Sequence, residues 1–65
     1  MTETGTRGAE AYRQAYEYIA VGNPGTPERR LGRMAWRYLL TTASPPLGRQ
    51  EKRDARRARR GMLRP

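Results

Sequence analysis

The chain has 65 residues, 14 of them basic and 6 acidic, for a formal net charge of +8. A chain of this size is at most one small domain, burying only about 60% of its unfolded surface, which leaves little room for a deep enzymatic cleft. Cys and His are both absent, which excludes a zinc finger, a disulfide framework, a thiol nucleophile and an imidazole base together.

Residues 1–8, MTETGTRG, hold two Gly and three Thr without periodicity and read as a flexible N-terminal tail. They lack the apolar stretch of a secretory signal, which with the missing cysteines points to the cytoplasm. The longest apolar runs are three or four residues, such as Tyr18 to Val21, so no membrane span is expected.

From Ala9 the pattern is helical, with Tyr12, Ala15, Tyr16 and Ile19 on one face and Glu10, Arg13, Gln14 and Glu17 on the other. Gly22 is placed for a left-handed helix cap, and Asn23-Pro24-Gly25 reads as a turn. A second helix is announced by Thr26 as N-cap, Pro27 at the first helical position and Glu28 in the first turn. It should run to about Ala43, with Gly32 inside it either as a point of close helix approach or as a tolerated weakness.

The second helix has a broad apolar side, Leu31, Met34, Ala35, Tyr38, Leu39 and Thr42, and a basic side of Arg29, Arg30, Arg33 and Arg37 flanked by Trp36 and Leu40. The short connection makes an antiparallel hairpin over residues 9–43, with Tyr12, Ala15, Tyr16 and Ile19 facing Leu31, Ala35, Tyr38 and Leu39. Ser44-Pro45-Pro46 stops the helix, and residues 44–48 form a Pro/Gly linker.

Residues 49–65 then read as a basic amphipathic helix with a C-terminal tail. Within RQEKRDARRARR, residues 49–60, Arg49, Lys52, Arg53, Arg56, Arg57, Arg59 and Arg60 fall in an arc of roughly 160° on a helical wheel. Glu51, Asp54, Ala55 and Ala58 occupy the other side, joined by Leu47 and Met62. A merely solvated run of charge has no reason to sort its signs by face. Like-charge pairs at i,i+4, with only Asp54 near Arg57 to offset them, predict a helix that frays in isolation and orders on an anionic surface.

The fold class expected is therefore all-α: an antiparallel helical hairpin followed by an Arg-rich third helix, ordered on binding or completed by oligomerisation. The apolar side of the second helix is wider than one partner needs. Either the Leu47/Ala55/Ala58/Met62 face folds over it, or Leu31, Met34, Trp36, Tyr38, Leu39 and Leu40 meet another protein or another copy.

Residues 1–25 carry two Arg and three Glu, whereas residues 26–65 carry twelve basic residues and three acidic ones. Thirteen of the fourteen basic residues are Arg, which suits bidentate phosphate contacts and is also what a GC-rich coding sequence produces. The expected function is a small nucleic-acid-binding protein that grips the phosphates of DNA or RNA with little sequence specificity. Arg49, Lys52, Arg53, Arg56, Arg57, Arg59 and Arg60 would carry the contact, with Arg29, Arg33 and Arg37 as additions.

Other readings are weaker. A membrane-surface helix needs bulky apolar residues opposite the charges. A helix-turn-helix needs a third supporting helix and a tighter turn. Trp36 is expected in the core or an interface, with base stacking the less favoured role. No metal-ligand spacing, phosphate-cradling Gly loop or nucleophile–base pair is present, so no enzyme, cofactor or small-molecule substrate is expected. The rival function is an adaptor or inhibitor, or a subunit of a ribonucleoprotein or viral particle, docking by its apolar helical face with the Arg helix on an acidic surface.

Overall fold

A computed structural model describes residues 6–62 and shows three helices, α1 Thr6–Gly22, α2 Glu28–Thr42 and α3 Arg49–Met62. The fold is all-α, and α1 is its centre, packing against both α2 and α3.

Helix α1 starts earlier than its apolar stripe suggests. Arg7 and Gly8 belong to it because α3 crosses there: Gly8 is buried, and Arg7 Nη1 lies 2.8 Å from Glu51 Oε1. The tail reading therefore fails for residues 6–8; its first five residues, like residues 63–65 of the C-terminal tail, lie outside the described residues. At the other end Gly22 is not left-handed. The Asn23 side-chain amide donates to the Ile19 carbonyl at 2.8 Å and closes the helix instead. The chain then reverses through Asn23–Thr26, where the Thr26 N–H donates to the Asn23 carbonyl at 3.3 Å and Gly25 has φ of 86°. Pro at the second position and a positive-φ Gly at the third are what a type II turn requires.

Helix α2 begins at Glu28, one residue later than its cap signal implies. Pro27 has φ −57° and ψ 145°, so it stands outside the helix as the N-cap, and no side chain caps the first turn. Its carbonyl accepts the Leu31 N–H at 2.9 Å, while Glu28 supplies negative charge at the positive end of the helix dipole. The helix ends as Ala43 turns extended with its N–H still bonded to the Leu39 carbonyl at 2.9 Å. The Ser44–Pro45 peptide that follows is cis.

The core draws Tyr12 and Ala15 from α1, Ala35 and Leu39 from α2, Ala55 from α3 and Leu47 from the linker. Burying Leu39 and Leu47 stabilises the fold by about 1.5–3 kcal/mol each relative to leaving them exposed. The Tyr12 hydroxyl, in a side chain with no exposed surface, donates to the Gly32 carbonyl at 3.1 Å. Tyr38 departs from the expected hairpin contact: it lies at the edge, 36% exposed, stacked on Tyr18 with ring centroids 5.2 Å apart.

The face of Leu47, Ala55, Ala58 and Met62 does close on the body of the protein, but onto α1 rather than over α2. Small residues explain the choice. A Cβ on Gly8 would overlap the Glu51 carbonyl oxygen and lie 2.8 Å from its carbon, so the two backbones touch where α1 and α3 begin.

Candidate nucleic-acid interface

The first turn of α3 is anchored by Glu51, whose Oε1 accepts both the Gly48 N–H at 2.8 Å and Arg7 Nη1 at 2.8 Å. Arg7 also donates through Nη2 to the Pro45 carbonyl, tying the linker to α1. The Gly48 amide first, and the Arg7 guanidinium after it, hold the Glu51 carboxyl below the usual range. Glu51 near the start of α3, with Arg59 and Arg60 in its last turn, matches the helix dipole at both ends.

Docking of Ala55 turns the opposite side of α3 outward. Arg49, Lys52, Arg53, Arg56, Arg57 and Arg60 are exposed, and Arg59 is half-buried. No carboxylate of the described residues forms a salt bridge with any of these seven cations. Asp54 does not compensate Arg57 as its spacing suggests: Oδ1 accepts from Gln50 Nε2 at 3.1 Å, and Oδ2 is buried without a hydrogen bond.

Two adjoining depressions run along the exposed side. One, of about 320 Å³, is lined by Arg49, Lys52, Arg53 and Arg56; the other, of about 360 Å³, by Trp36, Arg56, Arg59 and Arg60. Arg56 belongs to both. Arg57 stands apart, on the flank toward α1, in a depression with Ala9, Arg13, Asp54 and Met62. Arg13, assigned by periodicity to the plain outer face of α1, thus joins Arg57, a pairing that no spacing in the chain signals.

Comparisons with protein families, curated proteins and solved structures find no match to this chain.

On α2, Arg29, Arg33 and Arg37 are exposed. Arg29, Arg33, Trp36 and Leu40 share one strip of the helix by their spacing, and of these the structure sets Trp36 against α3. The partner of Trp36 is not an arginine of its own helix. The Arg56 guanidinium of α3 lies 5.7 Å from the Trp36 ring centroid, and the Tyr12 ring packs at 6.5 Å, tilted by 49°. Arg59 comes near the same place: burial raises the Tyr12 phenol above its ordinary pKa, and Arg59 partly opposes that rise.

The residues expected at a protein interface divide. Leu31 and Leu39 are buried within this chain and unavailable to a partner; Met34 and Trp36 are half-buried; Tyr38 and Leu40 are exposed. Among the described residues no group of His, Cys, Asp or Glu is placed to hold a metal ion, and no helix is long and apolar enough to cross a membrane.

Proposed function

We propose that this chain is a small nucleic-acid-binding protein, with no catalytic activity of its own, that grips the phosphate backbone of DNA or RNA with little sequence preference. What supports the reading above all is the row Arg49, Lys52, Arg53, Arg56, Arg59 and Arg60: cations on one side of a docked helix, without carboxylate partners among the described residues. Arginines left unpaired on one surface lower their mutual repulsion by neutralising phosphates, and their planar forks suit phosphate oxygens. Arg29, Arg33 and Arg37 extend the positive field across α2. The lack of cysteine suits work in the reducing cytoplasm.

The test is fluorescence anisotropy with labelled oligonucleotides of unrelated sequence across a salt series. Affinity should be similar for all sequences and fall with a log–log slope of about −0.9 per duplex phosphate neutralised. Changing Arg53 and Arg60 to Gln should each reduce the slope by about 1. Absence of binding at low salt would overturn the proposal.

A second reading, an adaptor, inhibitor or subunit of a larger assembly, is favoured by the exposed Tyr18–Tyr38 stack beside Val21, which is 83% exposed. It predicts capture of a protein partner, abolished by changing Tyr18 and Tyr38 to Ser, with oligonucleotide binding left unchanged by the same substitutions.

A further inference from the structure

Trp36 is the chain's one tryptophan, and it sits half-buried with Tyr12 behind it and the cleft of Arg56, Arg59 and Arg60 before it. A residue serving only the core would not leave its ring under one guanidinium and beside a cleft that two further arginines line. Resting on the nucleic-acid reading, we propose that this cleft selects single-stranded nucleic acid, by stacking one unpaired base on Trp36 while Arg56, Arg59 and Arg60 hold the flanking phosphates.

The energetics favour an exchange. In the free protein the ring is covered by Arg56, a contact equivalent at an exposed site to only about two- to fivefold in affinity. A base stacked on an aromatic ring contributes about 5- to 150-fold. Arg56 has Lys52 and Arg60 four residues to either side and Arg53 and Arg59 three residues away, so like-charge repulsion already presses it outward. A phosphate that draws Arg56 off the ring relieves that repulsion and opens a stacking face in one movement.

Duplex cannot complete the exchange. Its bases are paired and stacked inside the helix, whereas Trp36 is recessed between α2 and α3 and is met only by a base that has left its stack. Along α3 the cations from Arg49 to Arg60 span roughly 16 Å at 1.5 Å per residue, enough for a short single-stranded segment running from Trp36 toward Arg49. A duplex would contact the same arginines and leave the ring under Arg56.

The experiment uses the full chain, a labelled single strand of about ten nucleotides and the same strand annealed to its complement, within the site sizes common for single-strand binders. Emission excited selectively from Trp36 is followed alongside anisotropy. The single strand should quench Trp36 and the duplex should not. Trp36→Leu should weaken the single strand by about 5- to 150-fold and the duplex by less than about twofold. Trp36→Phe, which keeps an aromatic face, should retain the single-strand preference by anisotropy; it decides the matter if Trp36→Leu does not fold. Equal binding of both forms without a quench, or loss of the single-strand preference in Trp36→Phe, would overturn the stacking proposal while leaving phosphate binding intact. Failure of both forms to bind at low salt would overturn phosphate binding and the stacking proposal together.

Discussion

Gly8 and Gly61 are both helical glycines, and their surroundings give alanine opposite effects. At Gly8 a methyl group would meet the Glu51 backbone, which cannot move without lifting α3 from α1. Gly8→Ala should therefore destabilise by about 1–3 kcal/mol or more, the cost of overpacking a tight contact. At Gly61 the space is open, and alanine should stabilise by about 0.4–1 kcal/mol through helix propensity and a less flexible unfolded chain. Urea unfolding of the two variants should show midpoints shifted in opposite directions. Glu51 governs the acid side of stability. Its folded pKa is lowered, so its contribution is fully present above the unfolded pKa and is lost as pH falls through the folded value. Glu51→Gln should be less stable at neutral pH and should flatten the acid limb of a melting-temperature profile; an unchanged limb would refute that role.

Helix α3 carries a conflict that only its docking resolves. The pairs Arg49/Arg53, Lys52/Arg56, Arg53/Arg57 and Arg56/Arg60 each oppose the helix by about 0.2–0.5 kcal/mol. Against them stand the Glu51 anchor, the buried Leu47 and Ala55, and the partial burial of Ala58 and Met62. Docking on α1 thus supplies contacts that offset this repulsion, and a peptide of residues 45–65 alone should show little helicity by circular dichroism. Ala55→Glu would bury a charge where no side-chain surface is exposed. It should detach α3 and abolish a single cooperative melt, whereas Arg53→Glu on the exposed side should leave the melt in place. The first turn of this helix also shows what linear spacing leaves out. Glu51 stands three residues after Gly48, a capping position readable from the chain, but its bond to Arg7 joins residues 44 positions apart.

For the whole molecule, a net charge of +8 on 65 residues means that salt acts on folding and on the proposed binding with opposite signs. Screening relieves self-repulsion of the compact state, so the melting temperature of the free protein should rise between low and moderate salt. Phosphate binding over the same range should weaken, since counterions released into a more concentrated solution gain less entropy. A melting temperature that falls with salt would show that attractive charge contacts outweigh repulsion, contrary to the unpaired arginines of α3. The same field is uneven: α1 brings acidic residues and the Tyr18 side of the protein, while α2 and α3 turn their arginines outward.

The all-α class, the three helices, the sorted signs of residues 49–60 and the Pro24-Gly25 reversal were legible in the chain because they rest on local quantities: periodicity, backbone preference and charge spacing. The boundaries shifted where a local signal met a distant one. Arg7 and Gly8 look like tail until α3 crosses them, and Thr26 looks like a cap until the extended ψ of Pro27 moves the helix start. Periodicity assigns a residue to a face but never names the neighbour of that face. Tertiary structure alone decided that α1 lies at the centre, that Leu31 and Leu39 are spent on the core, and that Arg57 stands beside Arg13. It also brought Arg56 over Trp36, because the closest approach of α1 and α3 is set by Gly8 and small alanines, and that approach carries the arginines of one helix to the aromatic edge of another.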